Sequence, residues 1–180
     1  MIEVICGPMY SGKSEELIRR LTRAHLGQKN VLAIKPEIDN RYSDQEIVSH
    51  SGARIAAITL KHSELLVSAS LGYTVVGIDE AQFFDDEIVN QVRAMAHSKL
   101  VIVAGLDMTF RQEPFGSMPQ LLAIADRVQK LTAVCHSCGD DANFTQRLVD
   151  GKPAPFDGPT VLVGATEAYE ARCRKHFQSS

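Results

Sequence analysis

The eight residues Gly7-Pro8-Met9-Tyr10-Ser11-Gly12-Lys13-Ser14 constrain this chain more than any other feature. They follow Ile2-Glu3-Val4-Ile5-Cys6, a short apolar run that predicts a buried strand. They precede a segment in which Leu17, Ile18 and Leu21 recur at helical spacing. Strand, glycine-bounded loop and helix form the context in which the pattern G-x-x-x-x-G-K-[ST] acquires physical meaning. Consecutive backbone N–H groups of such a loop wrap a phosphate, and the positive end of the helix points at it. Lys13 would reach the β- and γ-phosphates, and the Ser14 hydroxyl would hold Mg²⁺. The pattern therefore implies a bound nucleoside triphosphate, ATP in the usual case.

The rest of the chain alternates strand and helix signals. Val31–Lys35 reads as a second strand stopped by Pro36, and Ile55–Ile58 as a short third. The polar stretch from Glu37 to Gly52 lacks any period and reads as one long loop, of the length that is commonly functional or disordered. A helix is expected to begin near Lys61, a strand over Tyr73–Ile78, and an amphipathic helix over Asp85–His97. Leu100–Ala104 is a continuous apolar run, buried on both faces, followed by a helix over about Met118–Asp126 and a strand near Leu131–Val134. This order predicts an α/β fold with a doubly wound, mostly parallel sheet. At Cys135 the composition shifts toward Gly, Pro and polar residues, which places a boundary between a nucleotide-binding domain, 1–134, and a small domain, 135–180.

Asp79 and Glu80 end an apolar strand, the edge at which parallel sheets bind ligands. Asp79 is the expected second Mg²⁺ contact, and Glu80 could act as a base or orient a nucleophile. The pair alone does not distinguish attack by water from attack by a substrate hydroxyl. Arg41, on the long loop, carries a donor fork suited to a transferring phosphoryl group, although a solvated loop arginine is the commoner case. Cys6 reads as a small core residue.

Cys135-His136-Ser137-Cys138 and Cys173-Arg174-Lys175-His176 are two ligand pairs with x-x spacing. Together they suit a closed structural Zn²⁺ site of type Cys₃His, formed by Cys135, Cys138, Cys173 and His176, with His136 or an outside group as the alternative fourth ligand. A redox Cys-x-x-Cys leaves the second pair unexplained. Strand-like runs at Asn143–Val149 and Thr160–Val163 between the pairs suggest a zinc ribbon with a long inserted lasso. Thiols in metal spacing suit a reducing cytosol, and the start of the chain enters its first strand with no secretory leader, so a cytoplasmic location is expected. With 19 basic and 22 acidic residues, a net charge of −3 and no run of about 18 apolar residues, neither a nucleic-acid tract nor a membrane span is expected.

Taken in order, GPMYSGKS, DNRYS, IDEAQFF, GLDMTFRQEPFG, CHSC and GATEAYEARCRKHF resemble the zinc-containing thymidine kinases, whose fold is related to RecA-type ATPases. The resemblance spans essentially the whole chain. It implies transfer of the ATP γ-phosphoryl group to the 5′-hydroxyl of thymidine, and of deoxyuridine. By it Glu80 matches the catalytic carboxylate, and Asp39 and Arg41 match the loop near the phosphates. The nucleoside pocket maps onto Met9, Phe83, Leu106, Phe110, Thr145, Val163 and Tyr169, with thymine stacked on Phe110 and Thr145 facing its methyl group. Inhibition by thymidine triphosphate and a homotetramer are also implied. The sequence departs from the common pattern at Tyr10 (often Phe), Phe144 (often Tyr) and His176 (often Cys). The competing reading is a RecA-like, ATP-driven nucleic-acid-binding protein gripping through its zinc ribbon, for which a basic stripe with interleaved aromatics is missing.

Overall fold

The computed structural model describes residues 1–37, 45–157, 160 and 167–178. The first strand, β1 (Ile2–Cys6), is buried throughout, and helix α1 (Lys13–Leu26) carries the loop away from it. Strands β2 (Val31–Pro36), β3 (Glu46–Val48), β4 (Arg54–Ala56) and β5 (Ile58–Leu60) follow. A 3₁₀ turn at Ser63–Leu65 runs into the short helix α2 (Leu66–Ala69), and then come β6 (Val75–Ile78), a 3₁₀ turn at Ala81–Phe83, α3 (Ile88–Ala96), β7 (Leu100–Gly105) and α4 (Met118–Ile124). The last elements are β8 (Arg127–Lys130), β9 (Ala133–Val134), β10 (Asp141–Ala142), β11 (Phe144–Val149), β12 (Lys152–Pro153) and β13 (Glu167–Arg172).

Six strands form one sheet in the order β5-β2-β6-β7-β1-β8, every pairing parallel. Helix α1 covers one face, where Leu17, Ile18 and Leu21 pack on Ile5, Ala33, Val75 and Ile102. Helices α2, α3 and α4 cover the other, with Leu66, Ile88, Val92, Met118 and Leu121 against Val4, Ile34, Val76 and Val103. Alternate residues of a strand face opposite sides, so this two-sided cover is why β6 and β7 read as unbroken apolar runs and β1 as one interrupted only by Glu3. The doubly wound sheet is thus as expected. Among the described residues no helix is long and apolar enough to cross a membrane.

Several boundaries differ from the sequence reading. The sixth sheet strand is Arg127–Lys130, not Leu131–Val134. Its side chains are all exposed at the sheet edge, which leaves no apolar pattern to find. Ala133–Val134 pairs instead with β10, outside the main sheet. The segment Ile55–Ile58 is two strands broken at Ala57, whose N–H is taken by Gln45 O: β4 pairs antiparallel with β3, and β5 joins β2. The loop from Glu37 to Gly52 therefore contains a strand, β3, whose Ile47 is buried against the α1 side of the core. Helix α3 starts at Ile88, because the Asp85 carboxylate is held by the backbone N–H and hydroxyl of Ser63 and accepts from Glu87 N (3.2 Å). Helix α4 stops at Ile124, because Asp126 turns to accept from Ile2 N (2.6 Å). The partner of β11 is β13, in a segment that sequence reading left without a strand; residues 161–163 lie outside the described residues.

An ion-pair network fastens α1 to the edge of the sheet. Glu16 accepts from Arg19 (2.6 Å) and Arg20 (2.8 Å), and Arg20 reaches on to Glu3 of β1 (2.5 Å) and to Gln129 of β8. The hydrogen bond from Arg19, then that from Arg20, outweigh burial and bring the Glu16 carboxyl down to about 2. A carboxyl lowered in the folded state adds stability above its unfolded value and loses it as pH falls toward the folded one. Glu16→Gln is therefore expected to cost about 1 kcal/mol at pH 7, discounted for the exposed Arg19 side chain. In urea titrations from pH 7 to pH 3.5, the gap from wild type should narrow below about pH 4.5.

Candidate active site and metal centre

The phosphate-loop pattern closes into a loop for a local reason. Gly7 has φ +146°, and a Cβ on it would lie 2.5 Å from Leu131 O. Tyr10 and Gly12 take left-handed conformations (φ 64° and 83°). Left-handed residues interspersed in a tight turn aim successive N–H groups inward, the arrangement that binds anions. The Ser11 hydroxyl donates to Pro8 O (2.8 Å), and the Lys13 ammonium donates to the same carbonyl (2.7 Å), so its charge lies within the loop rather than out in solvent. Helix α1 begins there, with Glu16 N on Gly12 O (2.9 Å).

Asp79 and Glu80 emerge from β6, two strands from β1 with β7 between them. The Asp79 carboxylate is buried, accepts from Glu80 N (3.0 Å) and is hydrogen-bonded by the Ser14 hydroxyl. Burial, then the neighbouring Glu80 charge, push its carboxyl up to about 7, against the opposing pull of Ser14 and Lys13. A buried carboxylate and a hydroxyl side by side are a donor set that suits a hard divalent cation. Ser14 and Asp79 thus fit the Mg²⁺ role expected of them. Glu80 has φ 48° and ψ 41°, a left-handed conformation rare for a side-chain-bearing residue, and such residues cluster at functional sites. The Gln82 amide donates to its Oε2 at 2.5 Å.

Of the residues assigned to a nucleoside pocket, Met9, Phe83, Leu106, Phe110, Thr145 and Tyr169 are described. Met9 N of the loop donates to Thr145 Oγ1 of β11 (3.0 Å), so the small domain's sheet touches the phosphate loop directly. Thr145 and Arg147 share one face of β11, and Arg147 stands opposite the half-buried Tyr169 of β13. Leu106 follows β7 with its N–H on Gln82 Oε1 (3.0 Å), and Phe83 meets Phe115 edge-on (5.5 Å). Phe110 is buried, with the guanidiniums of Arg111 and Arg147 each 5.0 Å from its ring centre and Phe156 at its edge. Sequence reasoning missed Gln82, Arg111 and Arg147. The only signal was their place inside or beside quoted motifs, since their roles depend on long-range packing. Asp39, Arg41 and Val163 lie outside the described residues.

Cys135, Cys138, Cys173 and His176 bring their ligand atoms within 4.8 Å of one another. Cys138 Sγ and Cys173 Sγ are 3.7 Å apart, and Cys173 Sγ lies 3.2 Å from His176 Nδ1. Tetrahedral zinc with bonds of about 2.3 Å to sulfur sets such edges at roughly 3.8 Å. Burial opposes ionisation of Cys135, yet N–H groups of Cys173, Ser137 and Cys138 outweigh it and bring the thiol down to about 6. The four residues therefore fit structural zinc, and His176 rather than His136 completes the set. Cys6 is a buried core thiol, raised to about 11 by burial and then by Asp107.

A phosphate-binding loop facing a buried aspartate and a flanking glutamate across a parallel sheet defines a P-loop nucleotide-binding protein. A family model described as thymidine kinase matches residues 1–177, and the chain belongs to that family, which makes it a nucleoside kinase. Among solved structures it is similar to a genome packaging NTPase from Sulfolobus turreted icosahedral virus 2 in complex with ATP-gammaS, with 19% identity over 72% of this chain and 73% of that one. The TM-score is 0.46, too slight a likeness to bear on mechanism.

The two loop glycines should differ in tolerance. Gly7→Ala meets a backbone oxygen and a forbidden φ together, and is expected to destabilise by about 1–3 kcal/mol and to weaken ATP binding. Gly12→Ala, where a Cβ meets nothing within 4 Å, pays only the backbone term of roughly 1 kcal/mol. Thermal melts and titration with a fluorescent ATP analogue would test this order, and equal losses would mean that Leu131 moves aside.

Proposed function

We propose that this chain transfers the γ-phosphoryl group of ATP to the 5′-hydroxyl of thymidine, and of deoxyuridine, forming the monophosphate for pyrimidine deoxynucleoside salvage. The observation that carries the reading is the Met9–Thr145 hydrogen bond, which sets the small domain's sheet against the phosphate loop. A nucleoside held between β11, Leu106 and Phe110 would thus present its sugar toward the ATP phosphates and Glu80.

Residues 7–14 bind the triphosphate through backbone N–H groups, with Lys13 placing its charge against the β- and γ-phosphates. Ser14 and Asp79 would hold Mg²⁺, which when bound neutralises charge developing on the phosphates. Glu80 accepts a hydrogen bond from the 5′-hydroxyl, orients it in line with the phosphorus, and takes its proton late, because the transition state is loose and positioning outweighs early deprotonation. Arg41 adds its donor fork to the transferring group. The resemblance assigns the base edge to backbone groups of the lasso and the ring to Phe83, Phe110, Val163 and Tyr169, a pocket that would reject a purine by size. Thr145 beside the 5-methyl position discriminates by only about 1–3 kcal/mol, so deoxyuridine remains a substrate. The ATP-binding part is 1–134, and 135–180 is a zinc-pinned lid. The same reading includes inhibition by thymidine triphosphate, a homotetramer, a cytoplasmic setting and no nucleic-acid partner.

Purified protein with Mg²⁺-ATP and each of four deoxynucleosides should form thymidine monophosphate in preference to the others. ATP hydrolysis without any phosphorylated nucleoside would overturn the proposal in favour of water as the nucleophile. Glu80→Gln should lower kcat by about a hundredfold, with little change in ATP affinity. Cys173→Ser should weaken thymidine binding by about tenfold and ATP binding much less, because the loop that holds ATP belongs to the main sheet. Calorimetric titrations of both ligands would decide, equal losses meaning that the metal centre supports the whole fold.

A further inference from the structure

We infer that Gln82 is a positioning residue, which clamps the Glu80 carboxylate to the backbone of the nucleoside-contacting loop at Leu106. This inference rests on the reading of Glu80 as the residue that orients the acceptor hydroxyl.

The geometry is specific. Residues two apart on a regular helix do not face one another. Here the left-handed backbone of Glu80 and the turn closed by Phe83 N on Glu80 O (3.1 Å) bring the two side chains together. Gln82 is only 3% exposed, and its amide is used at both ends: Nε2 donates to Glu80 Oε2 (2.5 Å), and Oε1 accepts from Leu106 N (3.0 Å). Because one end faces an acceptor and the other a donor, the amide has one allowed orientation, and a flip would break both bonds. Bonds to an ionised partner are the stronger kind, so the carboxylate is held in place as well as contacted.

Two glycines leave the space that this arrangement occupies. A Cβ on Gly105, the last residue of β7, would lie 2.7 Å from Gln82 Oε1, and one on Gly116 would lie 2.5 Å from Gln82 O. The turn holding Gln82 is thus wedged between the end of β7 and the segment leading into α4. Any displacement of Leu106 would be passed through one side chain to the carboxylate, because Gln82 bonds both.

The test is a double-mutant cycle of Gln82→Met, which keeps length but neither bond, with Glu80→Ala, read by single-turnover phosphorylation of thymidine. If Gln82 acts through Glu80, Gln82→Met alone should lower kcat by about ten- to a hundredfold, with KM for thymidine changing less than about threefold. In the Glu80→Ala background it should cost less than about twofold, because nothing remains to be positioned. Equal losses in both backgrounds would overturn the inference and leave Gln82 a packing residue. Should Gln82→Met fail to fold, Gln82→Glu, which keeps an acceptor for Leu106 N but removes the N–H that Glu80 accepts, goes through the same cycle with the same outcomes. A wild-type protein that phosphorylates no nucleoside would overturn the proposed function and this inference together. Wild-type activity with additive losses would overturn this inference alone.

Discussion

The site depends on one close approach of backbone to backbone. Leu131 N donates to Cys6 O (2.8 Å) at the end of β1, and Leu131 O lies so near Gly7 that only a residue without a side chain fits beneath it. The chain leaves the sheet and enters the metal-binding region at this point, so the phosphate loop and the start of that region are fixed against each other through one residue, Leu131. Flexible side chains can yield by a few tenths of an ångström, but a carbonyl tied into the sheet cannot without disturbing the β1 edge. The Asp107–Lys130 ion pair (2.7 Å) braces the same place, linking the ends of β7 and β8 across β1.

Two further contacts depend on that anchor. Thr145 meets the loop backbone at Met9, and Arg111 reaches from the segment after β7 to Phe156 O (2.5 Å) and Thr160 Oγ1 (3.0 Å). The segment that follows is therefore held at its entry, at β11 and near its far turn, while the cluster beside the metal ligands is slight: Ala133, Cys135, Ala142, Ala171 and Cys173. Five small side chains bury little apolar surface around the ligands, and this is where a metal bond contributes most. Zinc on Cys135, Cys138, Cys173 and His176 would join the entry of the domain to its exit. Phe144 adds to this with its ring against Phe177 and the Arg174 guanidinium 4.9 Å from it.

What the sequence disclosed follows from how local each signal is. Residues 7–14 and the two x-x-spaced ligand pairs could be read as candidate sites because each is a contiguous motif, and Asp79 because it ends an apolar strand. The buried strands β1, β6 and β7 were legible because cover on both faces writes an apolar run. The edge strand β8 was not, since exposed positions accept Arg, Val, Gln and Lys alike. Strand β13 was hidden for a related reason: Glu170 and Arg172 pair with each other, and so occupy strand positions without an apolar alternation. Gln82 and Arg147 stood in plain view but without meaning, because one acts through a left-handed turn and the other reaches from β11 onto Phe110, in the segment after β7.

The electrostatics of the sheet edge explain why so much of the site is braced. Asp79 and Glu80 are adjacent acids, one of them buried, and burial raises the cost of charging both. The structure offsets that cost with directed groups: Ser14 and the Glu80 N–H on Asp79, the Gln82 amide on Glu80, and Lys13 nearby. Water would screen the pair more cheaply, but it would also stand where a phosphoryl acceptor must stand. Replacing solvent by fixed dipoles keeps the carboxylates aimed while leaving the attack position to a hydroxyl. A kinase must exclude water from that position, whereas a hydrolase must admit it. Under the proposed function, a lid formed by residues 135–180 and the amide behind Glu80 would serve one requirement, and the residues that make the edge difficult to charge would favour phosphoryl transfer over hydrolysis.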